Sequence, residues 1–421
     1  MTTSSHLPEG WRICSLASLL SEVDIRVEDL PVEERDNLEV LSLTKRFGLM
    51  PQSERFEKRV ATEDVHKYKV VRRGWIVYNP YVIWEGAIHA LRRSRPGIVS
   101  PVYPVWRRNE EDCGFLDCML RTPEMLANYE KLSAGAVNRR RSIKKNGFLS
   151  IKVALPSIEE QRKIARTLHL VRRFIEQQER VIERLAEFKK RLLHQVLTHG
   201  LYDEPQKQTD FGPVPQSWKL VTFSEAVRIK NGQVDPRQAP YREMLHVGPE
   251  NIESGTGCLA ELRTNAELQI SSGNYHFMPG DILYSKIRPY LNKVALADFE
   301  GTCSADMYPL RPNDSNFERT FLFQLLLSDA FNKQAVPLQN RTGIPKINRI
   351  QLGSISLPRP PLGEQSLIGE MLNLCDKKFY VLRRKHAVLT AFARTLLHEL
   401  ITARIRVHNF DVSAIEMAAH D

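Results

Sequence analysis

The chain is written twice, and this duplication constrains its fold more than any single motif. Leu7-Pro-Glu-Gly-Trp11 returns as Val214-Pro-Gln-Ser-Trp218, and Gly74-Trp-Ile-Val-Tyr78 returns as Gly280-Asp-Ile-Leu-Tyr284. The stretch 98–107 recurs loosely as 302–312. Ile143 matches Ile347, Ile151 matches Ile355, and Pro156-x-x-x-Glu160-Gln161 matches Pro360-x-x-x-Glu364-Gln365. Leu192-Leu193-His194 matches Leu396-Leu397-His398. The offset starts at 207 residues and settles at 204. Two diverged copies of one unit, each of roughly 200 residues, therefore fill the chain.

Each copy has the same grammar. A mixed segment rich in β-branched and aromatic residues comes first, with strand-like runs such as 75–78 and 281–284. A proline-bounded break follows, and then a long stretch with almost no Gly or Pro, 157–199 and about 363–404. Spacings of four and three place Ile164, Leu168, Val171, Ile175, Gln178, Ile182, Leu185, Lys189, Leu192 and Val196 on one helical face. Shifted by 204, the second copy gives Ile368, Leu372, Cys375, Phe379, Leu382, His386, Leu389, Ala393, Leu396 and Leu400. Ser157 with Glu160 fits a capping box, and Gly200 fits a helix stop. Each helix should be about 60 Å long.

Each apolar stripe needs cover, and the other copy supplies it. An antiparallel helix pair with a globular domain near each end is expected; a parallel homodimeric coiled coil is the structural alternative. The fold class is thus α+β, with an internal pseudo-twofold repeat. The expected boundaries are 1–150 for the first globular domain, 151–200 for the first helix and 201–213 for a polar linker. The second domain then runs 214–357, the second helix 358–405, and a tail 406–421.

A net charge of +10 favours a polyanionic partner, most simply nucleic acid. Six irregularly spaced cysteines do not form a secreted disulfide framework, and Cys113 with Cys118 has no second pair at zinc spacing. The stretch MTTSSHLPEGW carries no charged-then-apolar signal pattern, and no run approaches the roughly 20 apolar residues of a membrane span. A cytoplasmic protein is expected.

At this point the chain resembles the specificity subunit of type I restriction–modification systems. The resemblance covers nearly its whole length. It rests on the two-copy layout, on PSIEEQRKIARTL and PPLGEQSLIGEML leading into the long helices, and on GDILYSKIRPYLNKVAL in the second copy. It implies two target recognition domains, each reading one half of a bipartite double-stranded DNA sequence. The helices would act as spacer and as docking surface for two methyltransferase subunits. Restriction and translocase subunits would join through the complex. S-adenosylmethionine would bind the methyltransferase partner, with no cofactor or metal on this chain.

One motif points elsewhere. Asn79-Pro80-Tyr81 is one proline short of the Asn-Pro-Pro-Tyr that holds the target base in adenine-N6 methyltransferases. The repeat argues against that reading, because Asn79 matches Ser285 and Pro80 matches Lys286. No glycine-rich F-x-G-x-G loop precedes either copy. Ser142-Ile-Lys-Lys145 lacks the companion motifs of penicillin-binding enzymes, His398-Glu399 lacks the second histidine of a zincin, and no phosphate-binding G-x-x-x-x-G-K-[ST] occurs. Catalysis by this chain is not expected. Glu159-Glu160 and Glu110-Glu111 read as helix-start or solvated charges.

Basic residues gather in the same regions of both copies. Arg92, Arg93, Arg107, Arg139, Arg140, Arg141 and Lys144 are the candidates in the first. Lys286, Arg288, Lys293, Arg341, Lys346 and Arg349 are those in the second, with Tyr290 and Asn292 beside them as possible base readers. The competing readings are a coiled-coil scaffold without sequence-specific DNA contact and a self-sufficient DNA methyltransferase.

Overall fold

The computed structural model describes residues 7–35, 38–45, 47–54, 64–109, 112–134, 141–313, 315–339 and 343–407. It divides into two units, Met1–Gln178 with His386–Asp421, and Glu179–Lys385. The duplication is carried into topology. In the first unit an antiparallel sheet orders its strands Leu20–Val23, Val105–Arg108, Ile76–Tyr78, Ile88–Ala90. In the second the order is Val227–Ile229, Met307–Pro312, Ile282–Ser285, Val294–Leu296. Ile76 pairs with Trp106, and its counterpart Ile282 pairs with Leu310.

A second sheet repeats as well. Its order is Gly48–Pro51, Glu39–Thr44, Gly97–Val99, Lys69–Val71 in the first unit. It is Arg263–Thr264, Leu245–Val247, Gly301–Cys303, Tyr275–Phe277 in the second. Each contains one parallel pair, joining Glu39–Thr44 to Gly97–Val99 and Leu245–Val247 to Gly301–Cys303.

A two-stranded antiparallel ladder closes each globular part. Arg12–Ser15 pairs with Lys152–Leu155, and Lys219–Thr222 pairs with Ser356–Arg359. The chain leaves each globular part beside the point where it entered. Two or three residues later a long helix begins, Ile158–His199 in one copy and Leu362–Ile401 in the other.

The repeated Glu-Gln pair explains itself at these helix starts. Gln161 donates to the Pro156 carbonyl (3.1 Å) and accepts the Asp112 N–H (3.0 Å). Gln365 donates to the Pro360 and Asn316 carbonyls (both 2.9 Å) and accepts the Glu318 N–H (2.8 Å). Asp112 and Glu318 are themselves the N-caps of helices Cys113–Met119 and Arg319–Leu327. One buried amide thus clips the long helix to its globular part in each copy. Neighbouring Glu364 accepts from Trp218 Nε1 and the Leu201 N–H (both 3.0 Å). Glu160 instead holds Arg406 through two bonds of 2.7 and 3.0 Å. It opens the helix as expected, but it is buried rather than solvated. Half of the expected capping box forms: Ser157 Oγ accepts the Glu160 N–H at 3.3 Å.

Within each unit the long helices run antiparallel. In the first unit Ile164 and Leu168, near the start of one helix, share a core with Leu396 and Leu400, near the end of the other. In the second unit Leu193 and Val196, near one end, share a core with Ile368 and Leu372, near one start. All the predicted seam residues are buried or half-buried. The four nearest the globular parts, Ile164, Leu168, Ile368 and Leu372, are 0–9% exposed. Val171, Ile175, Ile182, Leu185, Phe379, Leu382 and Leu389 are only half-buried, as expected where two helices cover each other alone. Gly200 ends the first helix at φ +67°, a conformation glycine adopts without strain.

Candidate nucleic-acid interface

The G-x-I-x-Y repeat builds the same turn twice. Gly74 and Gly280 sit at φ +82° and +90°. Their N–H groups donate to Leu91 and Ala297 across the sheet, at 2.8 and 2.7 Å. The strand that follows delivers its last residues to one place in each unit. The Ile143 N–H donates to the Pro80 carbonyl (3.3 Å), and its counterpart Ile347 donates to the Lys286 carbonyl (2.9 Å). One scaffold therefore presents Asn79-Pro80-Tyr81 in one unit and Ser285-Lys286-Ile287 in the other. Asn79 is engaged internally: Oδ1 accepts the Tyr81 N–H (3.0 Å) and Nδ2 donates to the Tyr103 hydroxyl (3.3 Å).

The structure sorts the predicted basic residues by what surrounds them. Arg92 pairs with Asp117, a carboxylate 1% exposed that also holds Arg121 at 2.9 Å. Burial pushes the Asp117 pKa up, but the Arg121 and Arg92 charges outweigh it and hold the carboxyl below its ordinary value. Arg93 pairs with Glu39 at 2.8 Å. Arg141 pairs with Glu130 at 3.6 Å and lies 5.3 Å over the Trp84 ring. Lys293 donates to the Pro249 carbonyl at 2.6 Å, and Asn292 donates to the Leu327 carbonyl at 2.8 Å.

The remaining cations are different. Among the described residues, Arg107, Lys144, Lys286, Arg288 and Lys346 have no acidic partner. All are exposed except Lys286, which is half-buried with its ammonium 5.4 Å above the Tyr308 ring. In the second unit they are brought together by backbone pairing. Ile287 bridges to Lys346, and the Arg288 N–H donates to the Pro345 carbonyl at 2.7 Å. Tyr290 is 51% exposed beside them. Arg139, Arg140 and Arg341 lie outside the described residues.

Sequence reading missed the aromatic partners. Tyr308 and Tyr275 lie under Arg349 at 5.2 and 5.9 Å, and Trp106 lies under Lys145 at 5.7 Å. In sequence these rings cannot be told from core residues. Burial raises the Tyr308 hydroxyl pKa against the pull of Arg349, so the ring stays a neutral phenol. An unneutralised cationic surface with aromatic faces suits a phosphate backbone and base edges. Among the described residues, no three or more His, Cys, Asp or Glu gather as a metal site would need. No helix there is long and apolar enough to cross a membrane.

Comparison with known proteins places a DNA specificity domain in the second copy. Residues 215–391 match the family model of the type I restriction modification DNA specificity domain. The specificity subunit of the type I restriction enzyme EcoDI of Escherichia coli is 31% identical over 299 residues, covering 66% of this chain and 63% of that subunit. The chain thus spans a little under two thirds of that relative's length. The MjaVIII specificity subunit of Methanocaldococcus jannaschii is 26% identical over 290 residues, covering 64% of this chain and 65% of that one. The solved S subunit of a type I restriction-modification system from M. genitalium shares the fold, with a TM-score of 0.57 at 15% identity, covering 95% of this chain and 99% of that one.

These features define a class, a duplicated α+β protein carrying a DNA specificity domain. Residues 215–391 carry the type I restriction modification DNA specificity domain, and the chain is similar to the specificity subunits of type I restriction enzymes.

Proposed function

We propose that the chain reads an asymmetric, bipartite DNA sequence and brings two methyltransferase subunits to it, catalysing nothing itself. Segments 1–150 and 214–357 each read one half-site. The long helices Ile158–His199 and Leu362–Ile401 set the spacing and dock the partners, through which restriction and translocase subunits join. S-adenosylmethionine belongs to the methyltransferase. The proposed setting is the cytoplasm, where the DNA is.

The observation that carries this reading is one scaffold with two different loops. The equivalent turn displays Asn79-Pro80-Tyr81 in one unit and Ser285-Lys286-Ile287 in the other, so the half-sites are unrelated rather than palindromic. The Asn79 amide is occupied by the Tyr81 N–H and the Tyr103 hydroxyl, which disfavours a base-gripping role. The docking role is supported by Leu367, Leu374 and Val381, spaced by seven on the second long helix and 52%, 65% and 58% exposed.

The test is a genome-wide map of N6-methyladenine in cells with and without the chain, its methyltransferase partner present in both. Loss of one asymmetric motif with an unread gap supports the proposal. An unchanged map sinks it and favours a scaffold.

A further inference from the structure

Arg349 was a candidate DNA contact, but its donors are already in use. It is half-buried and opens the short helix Arg349–Gly353. Its guanidinium donates to the Ile229 carbonyl (3.4 Å), the Lys230 carbonyl (2.9 Å) and the Asn231 side chain. It therefore grips the end of strand Val227–Ile229 while crossing over Tyr308, which stands on the neighbouring strand Met307–Pro312. The first unit repeats the device with different chemistry. Lys145 opens the short helix Lys145–Leu149, crosses over Trp106 on strand Val105–Arg108, and pairs with Glu22 on the adjacent strand Leu20–Val23. The two residues are 204 apart, the offset of the repeat.

We infer that Arg349 and Lys145 are positioning residues for DNA recognition, crossbars that lock the edge strand of each recognition sheet to the short helix beside it. This rests on the DNA-reading function proposed above. The lock matters because the segment just before each helix holds the presenting loop. Ile347 bonds the Lys286 carbonyl, and Ile143 bonds the Pro80 carbonyl. Arg349 also shares the Tyr308 ring with Lys286, so it fixes the surface over which that lysine moves. Lys286 is then the phosphate-facing cation, and Arg349 sets where it stands.

Arg349→Lys separates positioning from charge, because a single ammonium cannot reproduce a planar fork onto three acceptors. The chain is tested in complex with its methyltransferase partner, by methylation mapping in cells and by salt titration of binding to a mixed-sequence duplex. Arg349→Lys and Arg349→Ala should both relax the motif at one half-site only and leave the salt slope unchanged. Lys286→Ala should lower the slope of log affinity against log salt by about 0.9, the value of one phosphate contact. Retention of the full motif by Arg349→Lys would overturn the proposal, as would a slope loss of about one for Arg349→Ala with its motif intact. An equal effect on both half-sites would also overturn it, marking a merely structural role. Should the wild-type complex methylate no motif, the DNA reading fails by itself. Amide exchange at 227–231 still judges the crossbar then: unchanged protection in Arg349→Ala removes it.

Discussion

Lys189 sits on the helix seam, and replacing it with methionine should loosen the second unit. Its ammonium meets Asp376 at 2.5 Å, and Asp376 takes a second bond, 2.7 Å from Gln324 Nε2. The Lys189 and Asp376 side chains are 15% and 27% exposed, so the pair lies between a surface and a buried one. A surface pair contributes about 0–1 kcal/mol. Stranding one charge of a fully buried pair costs about 3–5 kcal/mol. In Lys189→Met the carboxylate keeps Gln324 and some water, so a cost of about 1–2 kcal/mol is expected. Lys189→Met with Asp376→Asn removes both charges while leaving an amide oxygen for Gln324, and should recover to within about 0.5 kcal/mol of the parent. Native-state hydrogen exchange over 185–197 and 368–380 reads the opening free energy of this unit separately. The reasoning is refuted if the single variant costs less than about 0.5 kcal/mol, or if the double variant is no more stable than the single.

Arg406→Ala should destabilise the first unit by about 2 kcal/mol, because it strands a Glu160 side chain only 6% exposed; adding Glu160→Gln should restore part of the loss in thermal unfolding. His89 is buried, and burial with nearby Arg121 lowers its pKa from 6.5 to about 4, against the opposing pull of Asp117. The unfolded chain therefore takes up this proton first, so stability is complete above pH 6.5 and falls as the pH drops towards 4, by up to about 1.4 kcal/mol per pH unit. Urea midpoints measured across this window should show the slope, and His89→Gln should flatten it. Inserting one heptad in register into both long helices adds about 10 Å to each. It should lengthen the unread DNA gap by about three base pairs with both half-sites unchanged, and a methylation map that shows altered half-sites would refute the spacing role proposed for the helices.

The helices were legible because a 3.5-residue period is a local signal, repeated along 157–199 and again along 363–404. The antiparallel arrangement followed from the duplication, since each stripe had a partner within the chain. Strand order was not legible. The parallel pairing of Glu39–Thr44 with Gly97–Val99 joins runs more than 50 residues apart, and nothing in either run names the other. The Glu160-Gln161 motif was visible as a repeat, but its work was not: the amide clips a separate helix, and the acid binds Arg406, 246 residues away. Charge showed where the cationic regions lie but not which cations are neutralised. Arg92 and Arg93 stand in the same run as Arg95, yet Asp117 and Glu39 arrive only through tertiary folding.

The closing ladder gives each globular part the form of a cassette. Its ends, Arg12–Ser15 with Lys152–Leu155 and Lys219–Thr222 with Ser356–Arg359, lie side by side. The segment between the two ends of a ladder can vary while the chain still leaves it beside the point where it entered, provided the core under the long helix is kept. The clip that seats the helix uses Gln161 or Gln365 against backbone groups, so it asks little of the side chains that a new insert brings. On the function proposed above, exchanging one cassette changes one half-site and leaves the other cassette and both long helices as they were.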